Sequence, residues 1–368
     1  MRPARPLQNR KLLMGVGAAA LVPLVLAGCQ SDSAQTAQTA QTAETAGPPA
    51  ASPAPSDPDS TPASPGPTAS TSPSSSSSPV SPSDTSTAPG TTTATATPSG
   101  SPGVQELPRG GTALFPRYRL VGYSGGAAEA FGRLGIGSLQ KRTEEIEKLG
   151  TKYDGDGREP LPVLELIATV VQASPGKDGL HRSRTSDAEI ERYLKVARAN
   201  KALLLLNIQP GRADFLTEVK AMSRWLAEPD VGVALDPEWA VGAKERPGRV
   251  YGRTSAAELN EVSLWLSEFV AEKQLPQKPF VVHQLASRII SDVPGLRARR
   301  NLGFVISVDG IGSREAKEET WRKLVKPLPE GIHTGFKLFF EEDREHGRLM
   351  TPAQVLKLKP RPEYVLYE

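Results

Sequence analysis

The chain has 368 residues, with 44 Lys and Arg against 41 Asp and Glu, one cysteine and four histidines. A net charge of +3, without a basic stripe interleaved with aromatics, excludes the footprint of a nucleic-acid-binding protein. A single cysteine excludes an intramolecular disulfide and a cysteine-based metal site, and no cofactor motif stands out.

In chain order, Arg2, Arg5, Arg10 and Lys11 precede an apolar run over residues 12–26. The run is shorter than the ~20 residues that span a bilayer and has the make-up of a signal peptide. The following Leu26-Ala27-Gly28-Cys29 resembles a bacterial lipobox. That resemblance implies cleavage after residue 28, a diacylglycerol on Cys29 and a protein held by lipid on the extracytoplasmic face of the cell membrane. Residues 29–108 are Ser, Thr, Ala, Pro, Gly and Gln with almost no aliphatic bulk. This composition predicts a disordered linker that Pro keeps extended.

Residues 109–368 have the composition of a globular domain, long enough for one large core. Eight strand-like runs are expected, at 119–123, 162–169, 202–209, 231–238, 280–284, 303–309, 335–341 and 364–367. Helices fit the gaps, several with start signals. Ser186 with Glu189 opens one to about residue 199, and Phe215, Leu216, Val219, Met222 and Leu226 mark another over 212–227. Ser255 with Glu258 opens a long one, and Thr351-Pro352 with Gln354 a short one. This alternation predicts an α/β fold, a TIM-type (β/α)8 barrel lacking helix 8. A doubly wound sheet would carry a phosphate turn after its first strand, and Tyr123-Ser124-Gly125-Gly126 is not GxGxxG. Either residues 103–118 or a neighbouring helix must cover the outer face of the last strand.

Active sites of such barrels sit at the C-terminal strand ends. There the runs offer Tyr123, Glu165, Asn207 and Gln209, Asp236 and Glu238, His283 and Gln284, Asp309, and Lys337 with Glu341. Asp236 and Glu238 are two apart on a predicted strand, so both project to one side with Gly232 and Ala234, while Val231, Val233 and Leu235 take the other. Two buried acids are costly unless they do chemistry, bind a cation or make strong hydrogen bonds. Paired carboxylates with separated pKa values are what glycoside hydrolysis requires. Glu238 is the expected acid, with Asp236 or Glu341 as stabiliser or nucleophile. Asn207, Gln209, Gln284, His283, Asp309, Glu165 and Lys337 would bind substrate, and Trp239 and Tyr123 would stack on it. Glu165 and Lys337 could instead form a structural ion pair. A non-catalytic glycan-binding barrel is the alternative, and a metal-dependent hydrolase on Asp236, Glu238 and His283 a further one.

Leu235-Asp236-Pro237-Glu238 resembles the strand-4 Asp-x-Glu of chitinase-like and family 25 lysozyme-like glycosidase barrels. The resemblance implies Glu238 as proton donor and Asp236 as the group assisting a substrate-derived or water nucleophile. The chitinase-type acids are missing at Val231 and Ala234, and Tyr123 stands where the lysozyme type has Asp. Glu238 and Glu341 are also placed like the acids of barrels with catalytic Glu on strands 4 and 7, except that Pro237 replaces the Asn preceding the first. The whole chain resembles a group of actinobacterial lipoproteins, a resemblance that carries no function.

Overall fold

The structure is a computed structural model that describes residues 105–127 and 131–368. The expected signal peptide, Cys29 and nearly all of the expected linker lie outside the described residues. No helix among the described residues is long and apolar enough to cross a membrane.

The first half contains β1 (Tyr118–Gly125), α1 (Leu139–Gly150), β2 (Glu159–Val171), β3 (Arg182–Arg184), α2 (Asp187–Ala199), β4 (Leu203–Ile208), α3 (Phe215–Ala221), α4 (Ser223–Leu226) and β5 (Val231–Leu235). The second contains β6 (Thr254–Ser255), α5 (Ala256–Glu272), β7 (Lys278–Gln284), β8 (Ile290–Ser291), β9 (Leu302–Val308), α6 (Arg314–Val325), β10 (His333–Leu338), α7 (Glu342–Glu345), α8 (Pro352–Val355) and β11 (Tyr364–Tyr367). Strands β1, β2, β4, β5, β7, β9, β10 and β11 pair in parallel in that order, and β11 pairs back onto β1. The result is a closed eight-stranded barrel with helices between strands, the TIM-type plan the alternation predicted. β3 adds an antiparallel hook to β2, and β6 pairs with β8 above the barrel.

The strand period of two sorts the side chains. Leu161, Val163, Leu203, Leu205, Ala234, Val281, Val305, Tyr364 and Leu366 form an inner cluster. Val231, Val233 and Leu235 join a separate, larger cluster with Leu259, Val262 and Leu266 of α5. Small residues leave room inside: a Cβ at Gly122 would lie 2.3 Å from the Val163 carbonyl, and one at Gly335 3.1 Å from the Tyr364 ring.

Helix starts follow the capping chemistry. Ser186, Ser255 and Thr351 accept from the backbone N–H three residues on, and Thr351 with Gln354 completes a capping box. The helix expected over 212–227 begins only after an Asp214 cap, and breaks at Met222 into α3 and α4.

Residues ahead of β1 plug the N-terminal end of the barrel rather than covering the last strand. Leu107 and Leu114 belong to the inner cluster, the Leu114 N–H donates to Gln277 Oε1 (2.8 Å), and Phe115 and Leu114 lie 2.9 Å from where a Cβ on Gly303 would stand. The outer face of β11 packs against neighbouring elements. Tyr367 stacks on Phe340 (5.1 Å, 28°) and its hydroxyl meets that of Tyr153 at 2.5 Å, while Val355 of α8 joins the same core.

Candidate active site at the barrel mouth

Glu165 is the hub. Its inward position on β2 buries it completely, and four donors converge on its carboxylate. Oε1 accepts from Asn207 Nδ2 (3.1 Å), His283 Nε2 (3.1 Å) and Ser124 Oγ (3.4 Å), and Oε2 accepts from the Tyr364 hydroxyl (2.6 Å). Burial pushes the Glu165 pKa up, but the His283 and Lys337 charges and these hydrogen bonds outweigh it, leaving the carboxyl below its ordinary value. His283 shows the reciprocal effect. Burial opposes its charge, yet Glu165 holds the imidazole protonated, with a pKa of about 9.

From this pair a chain of alternating charge crosses the mouth. His283 Nδ1 faces Asp309 Oδ2 at 3.6 Å, Asp309 Oδ2 lies 3.3 Å from Lys337 Nζ, and Lys337 Nζ is 2.7 Å from Glu368 Oε2. Lys337 therefore pairs with Asp309 and Glu368 rather than with Glu165. Burial opposes the charges of both Asp309 and Lys337; their mutual attraction prevails, holding the carboxyl below and the ammonium well above the usual range. The Gly310 N–H also donates to Asp309 Oδ1 (2.6 Å).

Asp236, just past the end of β5, stands across β4 from Glu165, bridged to it by the Asn207 amide of that strand. Asn207 Nδ2 donates to Asp236 Oδ1 (3.0 Å) as well as to Glu165, and Gln209 Nε2 donates to Asp236 Oδ2 (3.2 Å). Burial nevertheless raises the Asp236 pKa. Glu238 is shifted further: burial first, then the charges of Asp236 and Asp309, hold it well above the usual glutamic acid range. The residue is half-buried, but its Oε2 is shielded from solvent and has no hydrogen-bond partner.

The strand expected through residue 238 ends at Leu235, and Pro237–Trp239 form one 3-10 turn. Pro237 has no N–H to give a ladder and its φ suits the first position of a turn. Trp239, half-buried, sits on the same turn. Glu238 thus reaches the acid cluster from a turn and not by strand alternation.

Three expected mouth residues lie elsewhere. Tyr123 packs with the helix-facing core, because on β1 the inward places are Gly122 and Ser124. Gln284 follows the inward His283 and so falls on the opposite side, where its Nε2 donates to the Ala286 carbonyl (3.3 Å). Glu341 is expected on a strand over 335–341, but β10 ends at Leu338; Glu341 stands at the N-cap position of α7, without a side-chain capping bond, and is exposed. Conversely, Ser124, Tyr364 and Glu368 are part of the network and were not singled out. The inward alternation of Tyr364 with Leu366 was the available signal for the tyrosine.

A second buried pair braces the mouth loops, and nothing in the sequence pattern announced it. Lys317 Nζ donates to the Gly310 carbonyl (2.6 Å) and pairs with Asp343 Oδ2 (2.9 Å), while Asp343 accepts from the Gly312 and Phe339 N–H groups (3.0 Å each). Asp309 is therefore held by a loop tied at Gly310 and Gly312.

Four inward polar atoms remain buried without a hydrogen-bond partner: Asn207 Oδ1, Glu238 Oε2, His283 Nδ1 and Ser307 Oγ. Each such atom costs about 1–3 kcal/mol, a cost that a ligand rich in hydroxyls would relieve. Among the described residues no group of three His, Cys, Asp or Glu side chains is arranged to hold a metal ion. A cavity of about 570 Å³ at the opposite end of the barrel is lined by Asp156, Arg158, Arg361 and Glu363, whose charges pair with one another.

No family model matches the chain, and no curated protein matches it. Among solved structures it is similar to a hyperthermophilic endo-beta-1,4-glucanase in complex with substrate, at 8% identity and TM-score 0.37 over 68% of this chain and 88% of that one. It is also similar to the Xanthomonas albilineans dihydropteroate synthase, at 14% identity and TM-score 0.27 over the same shares. At these scores neither likeness transfers a residue or a role to this chain.

Proposed function

We propose that this chain is a carbohydrate-active hydrolase, a glycosidase of an envelope or extracellular glycan, held at the cell surface by lipid on Cys29. The observation that carries the reading is the division of labour among buried acids. Glu238 is held protonated by burial beside Asp236 and Asp309, whereas Asp309 and Glu165 are held ionised. Acids whose environments push their pKa values apart supply the proton donor and the anionic partner of glycoside cleavage. Glu238 gives its proton to the glycosidic oxygen as the C–O bond breaks. Asp309 and Asp236, both near enough to act on Glu238, stabilise the positive charge that develops on the sugar; water then forms the new C–O bond and gives its proton to the Glu238 carboxylate. Glu165 positions His283, Asn207 and Tyr364 without touching the reacting bond. The buried, unpartnered Asn207 Oδ1 and Ser307 Oγ support a polar ligand at this end of the barrel.

The test is turnover of a panel of cell-wall and extracellular glycans by the full-length chain and by Glu238→Gln. Loss of a general acid should lower kcat by about 10²–10⁴-fold with the fold intact. Because the donor must be protonated, activity should fall as pH rises through the raised Glu238 pKa. Undiminished turnover in Glu238→Gln would overturn the assignment. A non-catalytic glycan-binding barrel is the second reading, favoured by Asp236, both of whose oxygens already accept side-chain amides. Glycan binding without turnover, the same in Glu238→Gln, would select it.

A further inference from the structure

Tyr123 and Glu341, both expected at the mouth, meet instead on the outer flank of the barrel. They line a cavity of about 440 Å³ with Arg133, Lys148, Lys152, Phe340 and Arg344. That size falls within the ~300–1,000 Å³ of small-molecule sites. Its apolar wall is preorganised. The Phe340 ring stacks on Tyr367 and meets Tyr123 edge-on at 5.5 Å, and the guanidinium groups of Arg133 and Arg344 lie over it at 5.4 and 5.9 Å.

Charge along the rim is unbalanced. Glu145, the second acid of the lining, is shared by Arg133 (3.0 Å) and Arg142 (2.8 Å). Lys148, near the end of α1, and Lys152, in the 3-10 turn that follows, are exposed and have no acid partner. Their spacing of four puts them close together along the edge. Against Lys148, Lys152 and Arg344 stands the exposed Glu341 alone. The barrel mouth has a different character, its two cations, His283 and Lys337, being already paired with Glu165, Asp309 and Glu368. Glu368 forms the partition, its carboxylate on Lys337 inside and its carbonyl accepting from the Phe340 N–H (2.8 Å).

The geometry points to a binding groove for an anionic sugar, one that carries a phosphate or a carboxylate. Lys148, Lys152 and Arg344 give charge-assisted hydrogen bonds to the anionic oxygens, and the half-buried Phe340 meets the C–H face of the ring with the surface that Tyr367 and Tyr123 leave open. A bare anion would use only the rim and leave the aromatic wall idle. The groove is independent of what happens at the mouth.

The experiment is calorimetric titration of the full-length chain, at low salt, with glucose 6-phosphate and with glucuronate, using glucose and inorganic phosphate as controls. At least one sugar acid should bind about tenfold tighter than both controls, and which one it is distinguishes phosphate from carboxylate. Lys148→Ala/Lys152→Ala should weaken that binding about tenfold or more, since neither side chain supports the fold. Glu238→Gln should leave it unchanged. Inorganic phosphate binding as tightly as the sugar acids, binding unaffected by the double variant, or absence of binding by either sugar acid would overturn the proposal. Loss of binding in Glu238→Gln would also overturn it, by moving the ligand to the mouth.

Discussion

Glu165→Gln removes the charge at the hub while keeping its shape, and its cost can be worked two ways. The His283 pKa stands at about 9 against an ordinary 6.5. At about 1.4 kcal/mol per unit, the shift corresponds to about 3 kcal/mol of stability. Removing one partner of a buried ion pair costs about 3–5 kcal/mol by mutational experience, so the two routes agree. The pH dependence has a definite sign. A histidine whose folded pKa is raised contributes fully below its unfolded value, and that contribution disappears as pH rises through about 9. Denaturant unfolding of the full-length chain and of the variant, at pH 6 and pH 9.5, reads this directly. The difference between them should be about 3 kcal/mol at pH 6 and should shrink to about 1 kcal/mol or less at pH 9.5. Comparing the two proteins cancels groups common to both, above all Lys278, whose trend runs the other way. A difference that stays constant across this range, or one below about 1 kcal/mol at pH 6, would refute a charged Glu165–His283 pair.

Lys278 is buried, donates to the Glu228 and Val231 carbonyls (2.6 and 2.7 Å), and has its pKa lowered by burial to about 7. The unfolded chain therefore binds the extra proton between about pH 7 and 10.5, stability rises across that window, and Lys278→Met should abolish the rise, as unfolding free energies at several pH values would record. Tyr364→Phe deletes a 2.6 Å hydrogen bond to a buried carboxylate. It should cost about 1.5–3 kcal/mol in the same assay, and a neutral result would remove the tyrosine from the network. Cys29→Ser should release the protein from the membrane fraction of expressing cells, and unchanged partitioning would refute lipid anchoring there.

The barrel was legible because its signals are local and repeated. Each strand is an apolar run of the right length, small residues at 232 and 234 mark the inward side of β5, and capping residues mark helix starts. Glu165, Asn207, Asp236, His283, Asp309 and Lys337 were legible too, as polar residues that an inward alternation carries into an apolar run. What failed was deciding where a strand stops and which of two adjacent residues points in. Pro237 converts the end of β5 into a turn, and Phe339 and Phe340 leave β10 to pack elsewhere, taking Glu341 with them. Tyr123 and Ser124 are neighbours at the end of β1, and only the crowding at Gly122 decides that the serine faces inward. Tyr364 reads as ordinary core because its hydroxyl partner lies 199 residues away. The Lys317–Asp343 brace depends on how two loops meet, which no periodicity encodes.

The return of β11 to β1 has a consequence for biogenesis. Leu120 pairs with Tyr364 and Tyr123 with Tyr367, so the seam joins the earliest strand to the latest. A nascent chain can stack its first seven parallel strands as they emerge, yet it holds an open sheet with two exposed edges until β11 is made. Closing so long a loop is the slow, entropically expensive step of assembly. Tyr364 and Glu368 come with that same short segment and tie down Glu165 and Lys337. Closure of the barrel and completion of its polar network are thus a single late event, and truncation within β11 would forfeit both together.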